Sequence, residues 1–299
     1  FKTFMLLEDT MKNPLISIII LNWNGKEVLK ECLDSVKAQT FKDHETIVVD
    51  NASTEGSQEF LKKNYSWAKL VQNKENLGYA GGNNGGIRKA KGDWILILNN
   101  DTVLDKNFLK ELNTCKDKAD IFGVKNYFYD KKETIWSVGS KVNKLTMRAS
   151  LIGNKEKDQG QYDDTKIEHA VGSAILAKKE VFNKIGYFDE SYFAYYEETE
   201  WQTRAIVAGF KIALCPKAKL WHKVAYSTGG GRSPLSSYYL LRNRGYFIRK
   251  WSKHKFLAYL VWVAEAKLRI FYGLLKNRKF AKMSWKGTVD FLKGKKGKL

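Results

Sequence analysis

An aspartate directly follows an apolar run near the first third of the 299-residue chain. Asn99, Asn100 and Asp101 come after the apolar residues 94–98, which predict a buried strand. A carboxylate at a strand end can hold Mg²⁺ or Mn²⁺ against a diphosphate, because both ions prefer oxygen ligands. The same three residues also form good turns, so a metal site and a simple turn both stay open on this pattern alone.

Three glutamates form an acidic cluster later in the chain. Glu197, Glu198 and Glu200 lie at the start of a helix predicted over residues 197–208, where the helix dipole favours negative charge. Crowding of carboxylates raises the pKa of one of them toward the range that a general base needs. Arg204 follows Glu200 at the favourable spacing for an ion pair on one helix face. We assign that pair a structural role and keep Glu197 and Glu198 as candidate bases.

A repeating strand and helix pattern in the first half of the chain positions these candidates. Short apolar runs alternate with amphipathic stretches, which is typical of βα units on a mostly parallel sheet. The pattern predicts strands over residues 15–21, 46–50, 69–72 and 94–98, and helices over residues 25–39 and 83–91. Polar residues follow each strand, at 22–25, 50–53, 73–76 and 99–101. Ligands of such sheets bind at the carboxyl ends of the strands, so we expect these polar segments to share one edge.

The βα pattern is lost over residues 126–168. A hairpin is predicted at 127–138, and the polar stretch 153–166 is interpreted as an excursion on the acceptor side. A strand at 170–177 and strand-like segments at 211–215 and 218–221 complete the predicted domain.

The positive charge of the chain is concentrated near its end. Residues 232–299 contain 18 Lys and Arg residues against two acidic residues, so they carry +16 of the net charge of +20. Beyond three glycines at 229–231 this segment is predicted to be helical, with one apolar stripe formed by Leu257, Val261, Ala264, Leu268, Phe271 and Leu275. Such a helix can lie on an anionic membrane surface, or pack on the domain or on a second copy in a homodimer. Nucleic-acid binding is not expected, because no recognised motif for it is present.

Composition excludes several classes of protein. With 43% hydrophobic and 13% aromatic residues, the chain can bury a full core. No uncharged apolar run approaches the roughly 18 residues of a spanning helix, so neither a membrane span nor a signal peptide is expected. Residues 1–10 precede Met11 and are interpreted as a leader or expression remnant. The cysteines Cys32, Cys115 and Cys215 lack metal or redox spacing; we expect a reducing compartment and give them no role.

The order and spacing of several motifs resemble family 2 glycosyltransferases, in particular the rhamnosyltransferase-like branch. The glycine-rich run at residues 78–86 lacks the GxGxxG spacing of a dinucleotide-binding fold, which argues against a dehydrogenase. The resemblance covers roughly residues 14–250. The matching segments are 18–24 (IIILNWN), 48–53 (VVDNAS), 76–83 (NLGYAGGN), 98–101 (LNND), 172–173 (GS), 186–190 (GYFDE), 195–200 (YYEETE), 221–222 (WH) and 238–243 (YYLLRN).

This resemblance implies a GT-A fold, a Rossmann-like nucleotide-diphospho-sugar transferase, and an inverting transfer from a nucleotide-sugar. The nucleotide-sugar would be bound by Asn22, Asn24, Asp50, Asn51, Asn76, Gly78, Asn83 and Asn100. Mn²⁺ or Mg²⁺ would be held by Asp101 and His222, although a buried core histidine is the plain alternative for His222. Glu198 stands where similar enzymes carry an aspartate as general base, with Glu197 as the alternative. Gly172, Ser173 and Trp201 would lie on the acceptor side.

The resulting hypothesis divides the chain into a catalytic domain over residues 11–231 and a basic helical extension over residues 232–299. The nucleotide-sugar half would span about 14–125 and the acceptor half about 126–231. The donor would be dTDP-rhamnose or a UDP-sugar, and the acceptor a glycan or polyprenyl-diphosphate-linked hydroxyl in cell-surface polysaccharide synthesis. We expect a cytoplasmic enzyme at the inner face of the cell membrane. The alternatives are a relative that only binds nucleotide-sugar, or a basic membrane or nucleic-acid adaptor.

Overall fold

Strands and helices alternate along the first half of the chain in the computed structural model, which describes residues 13–224 and 233–299. The expectations for residues 1–10 and for the three glycines at 229–231 lie outside these residues. The strands are β1 (Ile16–Asn22), β2 (His44–Asp50), β3 (Lys69–Gln72), β4 (Trp94–Asn99), β5 (Thr102–Leu104), β6 (Ile121–Phe128), β7 (Lys131–Ser137), β8 (Ser140–Val142), β9 (Ala149–Leu151), β10 (Ala174–Lys178) and β11 (Ile212–His222). The helices are α1 (Lys26–Lys37), α2 (Ser57–Asn64), α3 (Gly78–Ile87), α4 (Phe108–Cys115), α5 (Lys179–Ile185), α6 (Glu197–Val207), α7 (Pro234–Trp251), α8 (Lys255–Lys276) and α9 (Arg278–Leu292).

One large sheet has the strand order β3-β2-β1-β4-β10-β6-β11-β5, with β7 paired to β6. Strands β1 to β4 are parallel to one another, as the βα pattern predicts. The second half is mixed, because β10 runs antiparallel to both β4 and β6, and β5 runs antiparallel to β11. The two strand-like segments predicted at 211–215 and 218–221 form the single strand β11, with a register shift between Cys215 and Lys219.

Helices cover both faces of this sheet. Alternate residues of β1 point to opposite sides: Ile18 and Ile20 pack in one cluster with Leu29 of α1, whereas Ile19 packs in the other with Ala80 of α3. Helix α3 begins at Gly78, five residues before its predicted start. Its glycines allow close packing on the sheet, because a Cβ at Gly82 would overlap Leu21 and one at Gly86 would overlap Ile19.

The three C-terminal helices pack on one another and on the acceptor half. Tyr192 and Tyr196, just before α6, share a hydrophobic cluster with Phe247, Trp262 and Phe291 of α7, α8 and α9. Helix α8 packs through Ala258, Trp262, Ala266 and Gly273.

The predicted apolar stripe of α8 is on a different face from the packing residues. Leu268, Phe271 and Leu275 are 68%, 63% and 66% exposed. Among the helices in the described ranges, none is both long and apolar enough to cross a membrane. Leu268, Phe271 and Leu275 therefore form an open apolar surface that the described residues do not cover.

Two of the three cysteines are paired, which corrects the interpretation of the sequence. Cys115 at the end of α4 and Cys215 in β11 form a disulfide with Cα atoms 6.0 Å apart, whereas Cys32 is free and buried. The two cysteines are 100 residues apart in sequence and meet only because α4 packs beside β11. The cysteines therefore give no support for a reducing compartment.

Candidate active site

The carboxyl ends of β1, β2 and β4 bring three predicted donor-binding residues together. Parallel register pairs Asn22 with Asp50, and Asn100 follows the adjacent strand. The Asn22 amide donates to Asp50 Oδ2 at 3.3 Å, and Asn22 Oδ1 accepts a 2.8 Å hydrogen bond from Asn100 Nδ2. Gly25 allows this approach, since a Cβ there would overlap the Asn100 amide. We call this hydrogen-bonded group, with the Asp50 partners described next, the donor edge.

Asp50 is fully buried and is held by neutral donors. Its Oδ1 accepts from the Ser53 N–H at 3.0 Å and from Gln58 Nε2 at 2.8 Å. Ser57, at the start of α2, accepts from the Asn22 amide at 2.9 Å. Sequence analysis missed the roles of Ser57 and Gln58. Their position in the first turn of the helix after β2 was the available signal.

Asn51 and Asn76 also lie together, and their hydrogen bonds hold the loop at residues 73–78. Asn51 Nδ2 donates to Asn76 Oδ1 and to the Gly78 carbonyl, each at 3.0 Å. Asn51 Oδ1 accepts from Asn73 Nδ2 at 2.9 Å and from the Leu77 N–H at 3.2 Å. These four bonds fill the donor and acceptor capacity of the amide. The Asn51 side chain therefore supports the 73–78 loop and is not free for a nucleotide, which corrects its expected direct contact.

The two remaining residues predicted on the donor side differ in exposure. Asn24 is exposed, has a φ of 49°, and accepts from the Thr54 N–H at 2.8 Å through its side chain. Asn83 is buried in α3 and donates to the Tyr79 carbonyl at 2.9 Å. Asn83 Oδ1 has no hydrogen-bond partner in the described parts of the chain.

Asp101 and His222 lie side by side because β5 pairs with β11. The register places His222 opposite Thr102, and His222 Nε2 is 3.1 Å from Asp101 Oδ1. This contact does not have hydrogen-bond geometry: within residues 13–224 and 233–299, neither Asp101 Oδ1 nor His222 Nδ1 has a hydrogen-bond partner. The edge of the His222 ring packs against Trp136, with centroids 4.5 Å apart. The alternative for His222 is a core histidine whose ring nitrogens are hydrogen-bonded. The unpartnered Nδ1 does not support that alternative.

Asp101 and His222 bring together a carboxylate and an imidazole, two side-chain types that can ligate a divalent metal. No group of three or more His, Cys, Asp and Glu side chains suited to a metal occurs in the part of the chain that the structure describes. A cavity of about 510 Å³ adjoins His222 and is lined by Phe128, Tyr129, Asp130, Lys223 and Val224. Lys223, which sequence analysis did not single out, forms a 2.8 Å ion pair with Glu31.

Glu197 and Glu198 are adjacent in the first turn of α6, as predicted. One carboxylate oxygen of each, Oε2, is buried and has no hydrogen-bond partner among the described residues. Burial raises the pKa of Glu198, and burial together with the charge of Glu198 raises the pKa of Glu197 well above its ordinary value. Both carboxyl groups therefore lose their protons at higher pH than an ordinary glutamate, and the two titrate as an interacting pair.

The segment before β10 connects this glutamate pair to the metal candidates. A Cβ at Gly172 would lie 3.6 Å from Cγ of Glu198, and the Gly172 carbonyl accepts from the Tyr79 hydroxyl at 2.6 Å. The Ser173 carbonyl accepts from the Asn99 N–H at 3.0 Å, at the end of β4. Gly172 and Ser173 therefore lie between the glutamates and the strand that leads to Asp101.

Trp201 is a core residue, which corrects its predicted place on the acceptor side. It is fully buried, stacks on Phe182 with centroids 4.4 Å apart, and donates to the Gly186 carbonyl at 2.9 Å. Its position one helical turn after Glu197 turns it toward the sheet, because α6 packs there. Glu200 is also fully buried and pairs with Arg204 at 2.9 Å and with Lys250 at 2.7 Å, so this ion pair is not on an exposed helix face.

Taken together, the sheet edge carries an anchored polar pocket, a carboxylate beside an imidazole, and a buried glutamate pair with a raised pKa. Residues 17–186 match the glycosyl transferase family 2. The chain belongs to this family. An archaeal relative from Haloferax volcanii, the low-salt glycan biosynthesis hexosyltransferase Agl10, is 29% identical over 80% of this chain and 76% of its own length. A Borreliella burgdorferi cholesterol galactosyltransferase is 30% identical over 41% of this chain and 36% of its own.

Solved structures show the same fold. The mannosyltransferase PcManGT from Pyrobaculum calidifontis, in complex with GDP-Man and Mn²⁺, aligns with a TM-score of 0.58 at 17% identity, covering 100% of this chain and 80% of that one. Residues 1–349 of Staphylococcus aureus TarS with UDP align with a TM-score of 0.54 at 20% identity, covering 80% of this chain and 67% of that one. Some relatives are matched over a smaller part, such as 57% of a Rickettsia prowazekii glycosyltransferase. The chain has the GT-A fold, as the sequence motifs predict.

Proposed function

We propose that this glycosyltransferase performs a single inverting displacement with Glu198 as general base. The observation that carries the proposal is the buried glutamate pair with its raised pKa. Glu198 lies next to Gly172, and the following residue, Ser173, is hydrogen-bonded to the end of β4, two residues before Asp101. A sugar hydroxyl is a poor nucleophile near neutral pH and needs such a base. Among the described residues we find no Ser, His and Asp arrangement for a covalent route, which fits a one-step reaction.

In this mechanism Glu198 takes the proton of the acceptor hydroxyl. The hydroxyl oxygen forms a bond to the anomeric carbon while the bond from that carbon to the diphosphate oxygen breaks. The electron pair leaves with the nucleoside diphosphate, and the anomeric configuration inverts. Glu197 is the protonated member of the pair in this mechanism, because two adjacent buried carboxylates do not both carry charge at once. The donor edge around Asn22, Asp50 and Asn100 holds the nucleotide.

Asp101 and His222 fit a divalent ion, since a buried carboxylate oxygen and an imidazole nitrogen face each other without a hydrogen bond. Oxygen and imidazole ligands suit Mn²⁺ and, for the oxygens, Mg²⁺. When bound, the ion would neutralise negative charge on the departing diphosphate. The Mn²⁺ in the complex of the Pyrobaculum mannosyltransferase supports this assignment.

The donor we propose is a UDP- or dTDP-sugar, with dTDP-rhamnose first because of the resemblance to the rhamnosyltransferase-like branch. Galactofuranose, N-acetylglucosamine, glucose and galactose are the other candidates for the sugar. The UDP complex of TarS supports the uridine class, and the hexosyltransferase name of the Haloferax relative supports glycan synthesis.

We propose a glycan or polyprenyl-diphosphate-linked acceptor, reached by docking of α8 on an anionic membrane at the cytoplasmic face. The exposed stripe of Leu268, Phe271 and Leu275 lies on a segment rich in Lys and Arg, and anionic headgroups complement that charge. This places enzyme and acceptor at the same surface.

A thermal-shift panel of UDP, dTDP, GDP and their sugars, with and without Mn²⁺, tests donor binding. A ligand at about 100 times its dissociation constant adds roughly 2.7 kcal/mol of stability. A shift that needs Mn²⁺, followed by sugar transfer with inversion to a synthetic acceptor, would support the proposal. No shift with any nucleotide, in protein shown to be folded, would overturn it.

Vesicle partition tests the membrane part separately. Replacing Leu268, Phe271 and Leu275 by serine should lower binding to vesicles of phosphatidylcholine and phosphatidylglycerol by roughly tenfold or more, since burying each such side chain contributes about 1.5–3 kcal/mol. Val207→Ser, which removes another exposed apolar residue (72% exposed) from α6, serves as the control. Equal partition of the triple variant and the control would refute docking through α8.

A further inference from the structure

The backbone immediately before the glutamate pair is held by a single amide side chain from α7. Asn243 is fully buried. Its Nδ2 donates to the carbonyls of Tyr192, Ala194 and Tyr195 at 2.9, 2.7 and 2.7 Å. These three carbonyls belong to residues 191–196, which we call the base loop. Asn243 therefore binds three carbonyls of the base loop through a single amide nitrogen.

Arg242 completes this arrangement from the neighbouring position. It is also fully buried, and its Nη2 donates to the Tyr192 carbonyl at 2.9 Å. Its Nε donates to Asn243 Oδ1 at 2.9 Å, and its Nη1 donates to the Gly297 carbonyl at 2.6 Å. The Gly297 N–H in turn donates to the Ser191 carbonyl at 2.7 Å. The C-terminal segment thus closes a ring of hydrogen bonds around the base loop.

The base loop has a backbone that its residues do not favour. Phe193, Tyr195 and Tyr196 have φ values of 65°, 67° and 75°. Residues with a Cβ rarely adopt this region, and bulky ones least of all. Such a backbone persists only where its surroundings hold it. Asn243 and Arg242 supply hydrogen bonds at this place, and Tyr196 leads directly into Glu197.

The base loop also contacts the donor half of the site. The Phe193 carbonyl accepts from the Tyr79 N–H at 2.7 Å, at the start of α3. Gly78 has a φ of 71°, and a Cβ there would overlap Phe193. The loop therefore lies between α3, which borders the donor edge, and α7.

We propose that Arg242 and Asn243 are positioning residues that fix the base loop and thereby aim Glu197 and Glu198 at the acceptor hydroxyl. This inference rests on the proposed function, because it assigns a geometric task to the same glutamates. The C-terminal helices are then part of the catalytic geometry and not only a surface appendage.

Other buried polar side chains of the same helices have partners elsewhere. Arg244 pairs with Glu265 of α8, and Tyr238 donates to Asp290 of α9. The Trp262 indole donates to the Leu241 carbonyl at 2.8 Å. These contacts join the helices to one another. Trp262→Phe is therefore a matched control, because it loses one buried hydrogen bond but none of those that hold the base loop.

Asn243→Asp is the sharpest variant, because it keeps size and shape but turns carboxylate oxygens toward the three carbonyls. We expect kcat per nucleotide-binding site to fall by about 100-fold, because moving a catalytic group by about 1 Å can lower the rate by that factor. The donor KM and the dissociation constant of UDP or dTDP, measured by calorimetry, should change by less than about threefold. Arg242→Lys should lose less, since it keeps the charge and some donors.

The pH profile separates positioning from simple loss of stability. Burial raises the pKa of both glutamates, and the titratable groups that interact with them are Tyr79, Tyr192 and Tyr196. A loosened base loop admits water and lowers the pKa of the base. The rising limb of the rate should therefore move to lower pH in Asn243→Ala, which adds no charge near the glutamates, and stay in place in Trp262→Phe.

Hydrogen exchange gives a readout that does not depend on activity. Backbone amides of residues 191–198 should exchange faster in Asn243→Asp than in Trp262→Phe at equal global stability. Unchanged exchange and kcat in Asn243→Asp, together with an unchanged pH profile in Asn243→Ala, would overturn the inference while leaving the proposed function intact. If the wild-type protein transfers no sugar, the proposed function fails. In that case, unchanged hydrogen exchange in Asn243→Asp would still refute the inference that Asn243 fixes the base loop.

Discussion

The donor edge and the pair formed by Asp101 and His222 are both buried polar groups at the ends of neighbouring strands, but they are satisfied to different degrees. Asn22, Asp50 and Asn100 use their side chains on one another and on nearby backbone. Asp101 Oδ1 has no hydrogen-bond partner in the described residues, and the same holds for Oε2 of Glu197 and of Glu198.

Under the proposed function, this difference separates residues that build the site from residues that act in it. A buried polar atom without a partner costs roughly 1–3 kcal/mol, and a ligand that hydrogen-bonds or coordinates it removes that cost. We call Asp101, His222, Glu197 and Glu198 the reaction edge. The donor edge should respond to mutation mainly through stability, and the reaction edge mainly through activity.

Asp101→Asn should give the largest effect on activity. We expect metal-dependent transfer to fall by about 1,000-fold or more, because an ion at this site contributes several kcal/mol of charge stabilisation. The free energy of unfolding without metal should change by less than about 1 kcal/mol, since the lost oxygen had no hydrogen bond. Steady-state transfer and urea unfolding measure both quantities.

Asp105→Asn is the matched control for this variant. Asp105 lies just beyond β5 and its side chain accepts from the Asn107 N–H, a bond that asparagine retains. Transfer should be unchanged in this control. A large loss of stability in Asp101→Asn would break the contrast between the two edges.

Glu198→Gln should reduce transfer by about 10²–10⁴-fold, the usual contribution of a general base. Glu197→Gln should cost less, because Glu197 is the protonated member of the pair in the proposed mechanism and glutamine imitates that form. Both variants should bind UDP or dTDP as tightly as wild type, which calorimetry measures. The opposite ranking of the two variants would move the base to Glu197, the alternative that the sequence leaves open.

Asn22→Ala, in the donor edge, should lower stability more than it lowers kcat. It leaves Asn100 Nδ2 and Ser57 without their partner, and we expect a loss of roughly 1–3 kcal/mol of stability. The donor KM should rise by about tenfold through the displaced Asn100, while kcat changes less. Denaturant unfolding and donor saturation curves give these values.

Asn154→Ala provides the comparison, because Asn154 donates a single exposed hydrogen bond to the Trp136 carbonyl. Its loss should stay within about 0.5 kcal/mol. If Asn22→Ala is equally mild, the donor edge does not stabilise the fold as its hydrogen bonds indicate.

Sequence patterns were informative where they reflect local periodicity. Strand β3 was predicted with its observed bounds, and the start of α6 at Glu197 places the acidic cluster as expected. Polar residues after parallel strands meet at one edge by geometry alone, so the grouping of Asn22, Asp50 and Asn100 followed from the βα pattern. The exposed face of α8 also has the predicted spacing.

Contacts between distant segments could not be obtained in this way. Cys115 and Cys215 meet through α4 and β11, and Trp201 turns into the core because α6 packs on the sheet there. The hydrogen bonds from Arg242 and Asn243 to the base loop join residues about 50 positions apart. No local pattern encodes these contacts, since they depend on how whole helices pack.

The dependence of rate on pH is the smallest expected effect. It tests the role of one residue of the reaction edge, Glu198. A base acts when deprotonated, so a raised pKa means that the rate rises with pH through that raised value. An ordinary glutamate, with a pKa of about 4.3, would give a flat rate across pH 5–8. Burial raises the pKa of Glu198, so the midpoint should lie above the ordinary value.

The Glu197→Gln variant tests which glutamate carries the proton near that midpoint. In the proposed mechanism Glu197 is neutral while Glu198 titrates, and glutamine imitates that neutral form. The midpoint of kcat against pH should therefore stay within about half a pH unit of the wild-type value. A larger downward shift would mean that Glu197 is ionised at the midpoint and that the base assignment must be reversed.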